Sequence, residues 1–172
     1  MNLSKKNIQK TIQKLEKVKN RTYKNFLLVT EDLMEITYQT LVDIFKNNNL
    51  SNHIGSLNKE LINNGLGFRI WTNDWIVIFN EYGTGIKGIG THPNPNNYEY
   101  NIKTEFKDEF GRWTYYNDDV DQYVTTNGMP AKHMFNDVEN LLNECAKEFY
   151  SSAINLALDD KQYQTFRTSL KR

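Results

Sequence analysis

The first 54 residues contain neither glycine nor proline, and their apolar side chains recur three or four residues apart. That spacing places apolar side chains on one face of an α-helix, and no residue in the stretch is a strong helix breaker. The apolar face is broadest from Phe26 to Phe45. We therefore predict one long helix, or two helices in series, over about residues 4–47. The run Asn47-Asn48-Asn49 should end it, because asparagine side chains compete for backbone hydrogen bonds.

Charge is distributed unevenly along the chain. The 172 residues include 21 Lys or Arg and 21 Asp or Glu, which argues against a uniformly basic nucleic-acid-binding protein and a disordered acidic chain. Residues 1–24, however, carry eight basic residues and one acidic residue, a net charge of +7, so residues 25–172 carry −7. Ile8, Ile12 and Leu15 form a narrow apolar stripe within the basic stretch. We predict a basic helical arm over 1–24 that contacts phosphates or an acidic partner surface, followed by one domain over 25–172.

The spacing of apolar residues changes after residue 55. Residues 56–63 are predicted to form a short helix with Ser56 as its N-cap, and Asn63-Asn64-Gly65 a turn. Apolar and polar residues alternate from Phe68, which predicts a strand. Residues 75–79 (Trp-Ile-Val-Ile-Phe) are β-branched or aromatic, so we predict that they form the central strand of a sheet.

The second half of the chain predicts further strands and a last helix. Four glycines and two prolines between residues 83 and 97 predict a loop. Strands are predicted over 98–106, 113–116 and 123–126, and a helix from near Pro130 to about residue 158. Short turns between strands favour antiparallel pairing. The predicted fold class is α+β, in which an antiparallel sheet of about four strands packs with a long N-terminal helical region and a C-terminal helix.

Two clusters could carry enzyme chemistry, and each has a simpler structural explanation. Residues 83–88 match G-x-G-x-x-G, but a dinucleotide site needs a helix to open at the third glycine, and prolines follow here instead. Asp118, Asp119 and Asp121 crowd one loop, yet the glycine and glutamate that a calcium loop requires are missing. We expect a flexible glycine loop and a solvated acidic loop.

The histidines and the cysteine give no clear metal or nucleophile pattern. His53, His92 and His133 have no cysteine or carboxylate at ligand spacing, and Cys145 lies on an apolar helix face, which is typical of a small core residue. We therefore predict no catalytic residue, no cofactor and no metal ion. The alternatives are a nucleotide- or metal-dependent enzyme using residues 83–88 or 118–121, and a nucleic-acid-binding module using the basic arm.

The longest apolar run, the five residues 75–79, is too short to span a bilayer. The N-terminus has no apolar stretch behind its first lysines, so we expect no signal peptide. A single cysteine suits a reducing cytoplasm.

Three segments, read in order, resemble a known family. They are Glu81-Tyr82-Gly83-Thr84-Gly85, Gly111-Arg112-Trp113-Thr114-Tyr115, and Thr126-Asn127-Gly128-Met129-Pro130-Ala131. Their order is similar to that in the lambdoid gene-product-ten family, the tail-completion or head-tail joining proteins of long-tailed phages. In that family a strand ends in E-x-G-T-G, a G-x-W-x-Y segment follows, and a T-x-G-x-x-A turn leads into a C-terminal helix. The resemblance covers about residues 25–158, without the basic arm. Lys132-His133-Met134 stands where family members often carry Arg-Pro-Phe.

The resemblance implies a non-enzymatic virion protein at the tail or neck, assembled in the bacterial cytoplasm. It implies a homo-oligomeric ring, commonly six-fold, that contacts the tail-tube protein and neck or head-closure proteins, with no membrane and no specific nucleic acid. Trp113, Tyr115 and residues 126–128 are expected to hold the fold. The predicted assembly interface combines the arm with the glycine loop and comprises Lys5, Lys6, Lys10, Lys14, Glu81, Tyr82, Gly83, Thr84, Gly85, Lys87 and His92.

Overall fold

A computed structural model describes residues 5–88, 91–93, 112–117 and 120–163. Its first element is one helix, α1 (Lys5–Asn47), of 43 residues, which confirms the predicted long helix and its end. Beyond it, Asn49 has a positive φ of 59°, a left-handed conformation that asparagine tolerates. The asparagine run therefore ends α1, as the sequence predicts.

A hydrogen-bonded pair of strands follows α1. After a 3₁₀ turn (Ser51–Ser56) come β1 (Asn58–Ile62) and β2 (Gly67–Trp71), joined by the predicted turn, in which Asn63, Asn64 and Gly65 all have positive φ. With so short a connection the two strands must run antiparallel. The helix predicted over 56–63 is wrong. Ser56 instead closes the 3₁₀ turn by donating its hydroxyl to His53 O (2.8 Å), and pairing with β2 decides the conformation that follows.

The predicted central strand over 75–79 is also wrong, because these residues belong to a helix, α2 (Trp75–Tyr82). Glu81-Tyr82-Gly83-Thr84-Gly85 therefore lies at the end of a helix and not at the strand end that the family pattern implies. Asp74 caps the helix by accepting a hydrogen bond from Ile76 N (2.9 Å). Val77 is fully buried whereas Trp75 is 64% exposed, which is the one-sided burial of a helix. The β propensity of Ile-Val-Ile is thus overridden by a cap at one end and by Gly83, with its positive φ, at the other.

The remaining elements are a short helix, a hairpin and a long helix. They are α3 (Gly85–Gly88), β3 (Trp113–Asn117), β4 (Gln122–Thr126) and α4 (Met134–Leu158). β3 pairs antiparallel with β4, which confirms both predicted strands. The predicted strand over 98–106 lies outside the described residues. The fold is α+β, but a single sheet of about four strands is wrong, since the described strands form two separate pairs.

The C-terminal helix begins later than the sequence suggests. It starts at Met134 rather than near Pro130, because Lys132 N donates to Asn80 O (2.7 Å) and His133 has a positive φ of 54°. Its end at Leu158 agrees with the prediction. None of the described helices is both long enough and apolar enough to cross a membrane.

The chain forms two compact units. Unit 1 comprises Met1–Thr40, Asn58–Ile70 and Glu139–Arg172. Its core contains the buried residues Val29, Leu33 and Ala153, surrounded by aromatic side chains. Polar pairs also join α1 to α4 in this unit: Asn25 Nδ2 donates to Ala153 O (3.0 Å), and the hydroxyls of Thr30 and Tyr150 are 2.8 Å apart. Because these pairs are directional, they fix how α1 and α4 align.

Unit 2 comprises Leu41–Leu57 and Trp71–Val138. Its buried apolar residues come mainly from the end of α1, the middle of α2 and the start of α4, and include Phe45, Val77 and Met134. The rings of Phe45 and Phe135 meet edge to face with centroids 6.3 Å apart. Unit 2 contains the three segments that carry the family resemblance.

Candidate functional site

Glu81, in the last turn of α2, binds the start of α4. Its carboxylate accepts hydrogen bonds from Phe135 N (2.9 Å) and Asn136 N (3.2 Å), while only 3% of the residue is exposed. The first N–H groups of a helix have no partner within the helix, and the residue before Met134 is a histidine, which has no side-chain oxygen to cap them. Glu81 supplies that cap from a distant part of the chain, and its negative charge suits the positive end of α4.

Gly83 and Thr84 continue the contact with the segment that precedes α4. Thr84 N donates to Met129 O (2.8 Å), and Met129 N donates to Thr84 O (3.0 Å), which forms an isolated antiparallel bridge. Gly83 has φ 74° and ψ 173°, and a Cβ there would lie 2.7 Å from Ala131 N. Both the backbone conformation and the space therefore require glycine.

Two histidines complete this cluster. His92 Nε2 lies 3.2 Å from Glu81 Oε1, and the His92 side chain is 2% exposed. His133 Nε2 lies 2.6 Å from Thr91 O, and because a carbonyl only accepts, His133 donates. The two imidazole rings meet edge to face, with centroids 5.4 Å apart. We call residues 81–84, 91–92 and 129–136 together the Glu81 junction.

The second segment of the resemblance, around Trp113 and Tyr115, is connected to the same junction through strand pairing. In the β3–β4 hairpin Trp113 lies opposite Thr126 and Tyr115 opposite Val124. Thr126 ends β4, and Met129, which bridges to Thr84, follows after the turn at Gly128. The three segments, separated by up to about fifty residues of sequence, are therefore connected in unit 2 by strand pairing and by the Thr84–Met129 bridge.

The association of Glu81, His92 and His133 is not predictable from their positions in the sequence, because their spacing fits no local ligand pattern. The available signal was the start of α4, which lacks a Ser, Thr, Asp or Asn immediately before it and so needs a distant cap. Within the described residues no group of three or more His, Cys, Asp or Glu side chains could hold a metal ion.

The structure places the loop part of the predicted assembly interface largely inside unit 2. Glu81, Gly83, Thr84 and His92 are buried and Tyr82 is half-buried. Lys87 is exposed, and the backbone of Gly85 begins α3. The interface role of this loop stays a prediction, and its buried residues hold the Glu81 junction together.

The G-x-G-x-x-G segment has a structural use. It follows helix α2 rather than the strand that a dinucleotide fingerprint requires. A Cβ on Gly88 would lie 2.7 Å from the carbonyl carbon of Gly83, so these two glycines allow the chain to fold back on itself.

The other candidate residues have ordinary partners. His53 Nδ1 lies 2.7 Å from Asp74 Oδ2. Although burial acts to raise the pKa of Asp74, hydrogen bonds from His53 and the α2 backbone hold it below its usual value. Cys145 is half-buried beside the core of unit 1, and Asp121 accepts the hydroxyl hydrogen bond of Tyr116. Asp118 and Asp119 lie outside the described residues.

The basic arm is the N-terminal part of α1 and is widely exposed. Lys5, Lys10 and Lys14 are exposed, and Lys6 lies in the same helix. The apolar stripe is exposed as well: Ile8 by 45%, Ile12 by 49% and Leu15 by 64%. Three large aliphatic side chains in one row on a helix are an unusual arrangement to leave in water, since burial of each is favourable by about 1.5–3 kcal/mol.

A side-chain contact between α1 and α4 lies near the end of the arm. Arg21 Nη1 donates to Ala157 O (3.0 Å), and its guanidinium pairs with Asp160. Arg21 thereby satisfies a carbonyl in the last turn of α4, where a cation is favoured by the helix dipole. The basic composition extends to Lys24, but the packing of unit 1 already begins at Arg21.

No family model matches the chain, and neither a curated protein nor a solved structure matches it. Function is therefore inferred from the Glu81 junction, the exposed arm and the three sequence segments.

Proposed function

We propose that this protein is a structural component of a long-tailed phage or a tail-like particle, where it completes the tail or joins tail to head as a homo-oligomeric ring. It acts by binding other proteins and not by catalysis. It assembles in the bacterial cytoplasm and ends in the tail or neck of the virion. The observation that carries the proposal is the connection of all three resemblance segments around the Glu81 junction.

That connection matters because it gives the resemblance a physical basis. Glu81 is needed to cap α4, Gly83 to let Met129 and Ala131 approach, and Thr84 to bridge Met129. Gly83 and Thr84 of the first segment lie against Met129 and Ala131 of the third, and the second segment pairs with Thr126 in the β3–β4 hairpin, so the segments lie together in unit 2. Three short matches that depend on one another support a shared fold more strongly than three independent ones.

The chemistry of the junction supports a structural role. The Glu81 carboxylate is bound by two backbone N–H groups and lies beside His92, and both side chains are almost completely buried. A carboxylate bound in this way is a capping group rather than an exposed general base. The exposed arm supports a role in assembly, because it presents charge and apolar area to a partner.

Native mass spectrometry and sedimentation velocity of the full chain, alone and mixed with the tail-tube protein of the same particle, test the proposal. We expect a closed ring of identical subunits that caps tubes in electron micrographs. A chain that stays monomeric and never joins a tube overturns it. So does nucleotide or metal binding that is lost in Gly85→Ala or Asp118→Ala while assembly is kept, since that outcome indicates an enzyme.

A nucleic-acid-binding module is the second candidate, because the exposed lysines of the arm form a continuous basic face. Binding that depends only on phosphates weakens by orders of magnitude between about 50 and 200 mM salt. Tight DNA binding that survives about 200 mM salt favours this second function. Weak binding that disappears at that salt leaves the structural proposal in place.

A further inference from the structure

The apolar stripe of the arm lies on the same face of α1 as the core residues of unit 1, with the polar residues Lys19 and Thr22 between them. Ile8, Ile12 and Leu15 are spaced four and three residues apart, and the same alternation leads on to Phe26, Val29 and Leu33. Val29 and Leu33 are in the core of unit 1, and Phe26 packs edge to face on Tyr150 of α4 with ring centroids 5.1 Å apart. Three- and four-residue spacing is the pattern of a helix that packs against another helix along its length.

Helix α4 ends beside Arg21 and leaves the stripe uncovered. The Arg21 contact to Ala157 lies in the last turn of α4, which ends at Leu158. Residues 5–20 extend beyond that point by about 24 Å at 1.5 Å per residue. The stripe therefore continues a helix-packing face past the end of the helix that covers it.

The lysines of the arm do not cover the stripe either. With 3.6 residues per turn, Ile8, Ile12 and Leu15 fall within roughly 60° of arc, and Lys10 and Lys14 fall on the opposite side of the helix. Lys5 and Lys19 are the exceptions: Lys19 lies in line with the stripe, Lys5 lies about 20° outside it, and both are exposed. A partner surface for the stripe must therefore offer apolar area and also an acidic group near Lys19.

The outer face of α4 in unit 1 offers an exposed leucine beside two glutamates. Leu141 is 52% exposed, and Glu144 and Glu148 lie within about 60° of it around the helix and are exposed. Leu158, at the end of α4, is 62% exposed but lies about 100° from Leu141 around the helix. The chain thus carries an apolar row with a lysine on α1, and an apolar side chain beside acidic ones on α4.

We infer that the apolar stripe of one copy docks on the outer face of α4 of a second copy. The charge balance favours this occupant, because residues 1–24 carry +7 and the rest of the same chain carries −7. Pairing of two arms with each other would instead bring their net positive charges together. Contact between two different surfaces is heterologous and can close into a ring, so the inference rests on the proposed function and assigns its subunit contact.

The experiment compares Ile12→Gln/Leu15→Gln with wild type and with Leu61→Gln by sedimentation velocity and mass photometry. Leu61 is a matched control, because it is 44% exposed in β1, outside the stripe. We expect self-association at least about tenfold weaker for the stripe variant and unchanged for the control. Circular dichroism should show an unchanged fold, since all three side chains are exposed.

Charge reversal tests the choice of α4 as the receiving surface. Lys19→Glu should weaken self-association, and Lys19→Glu combined with Glu144→Lys and Glu148→Lys should restore it. A stripe variant that assembles like wild type, or a charge reversal that is not restored, overturns the inference while ring formation still supports the proposed function. A wild-type monomer that binds phosphatidylserine vesicles through the stripe also overturns the inference, since it makes the stripe a lipid-binding face.

Discussion

At the scale of single residues, Gly83 is the position at which the backbone conformation and the surrounding space most strongly require glycine. Gly83→Ala should lower the free energy of unfolding by about 2 kcal/mol, because alanine would adopt a glycine-only conformation and approach the backbone of Ala131. Gly55→Ala is the matched control, since nothing lies within 4 Å of a Cβ there. Urea unfolding of both variants measures the difference, and equal midpoints would contradict the role given to Gly83.

The hydrogen bonds of Glu81 predict that its substitution destabilises the start of α4. Glu81→Gln should cost about 1–3 kcal/mol, because the amide replaces a charged acceptor and leaves buried groups unsatisfied. Hydrogen exchange at the amides of Phe135 and Asn136 should speed up at the same time. Glu139→Gln, an exposed change in α4, should alter neither quantity. Unchanged exchange in Glu81→Gln would show that α4 does not need this cap.

The lowered pKa of Asp74 predicts how the stability of the fold depends on pH. Its pKa is lowered in the folded state, so its contribution to stability is present above the unfolded pKa, near 4, and is lost as pH falls through the folded value. Asp74→Asn keeps an N-cap for α2 but removes the charge that pairs with His53. The loss of stability on acidification below about pH 4 should therefore be shallower in this variant. Chemical unfolding from pH 7 to pH 2 measures the slope, and identical slopes would argue against the pair.

At the scale of elements, the contact between Arg21 and α4 is the clearest test of unit 1. Arg21→Gln should lower the free energy of unfolding by about 1–2 kcal/mol, because it removes a charged donor from Ala157 O. Lys17→Gln removes an exposed charge one turn earlier and should have little effect. Thermal unfolding compares the two variants. A larger loss of unfolding free energy from Lys17→Gln than from Arg21→Gln would contradict the role given to Arg21 in packing α1 against α4.

Elements that depend on local pattern were predictable, and elements that depend on distant partners were not. The three- and four-residue spacing of apolar side chains and the asparagine run predict α1, and the same spacing from Met134 onward predicts α4. The segment 75–79 was misassigned because its β propensity is strong, whereas the cap at Asp74 and the stop at Gly83 decide the outcome. For the candidate site, the sequence identified the three segments. It could not show that Glu81 caps α4, because about fifty residues of sequence separate Glu81 from the start of that helix.

At the scale of the whole molecule, the arm separates assembly from folding. Deleting residues 1–16 should leave the fold intact, because Arg21 and Asn25 keep their contacts with α4, but should abolish self-association with the stripe gone. Deleting residues 1–24 removes Arg21 too, so it should also lower the unfolding temperature.

The effect of salt separates charge attraction from apolar burial in the contact between copies. At 0.1 M salt, charges more than about 10 Å apart are largely screened from one another, whereas apolar burial is not weakened. Rising salt should therefore loosen the wild-type assembly only partly, as followed by sedimentation. Complete dissociation at moderate salt would mean that charge alone holds the copies together and that the stripe contributes nothing.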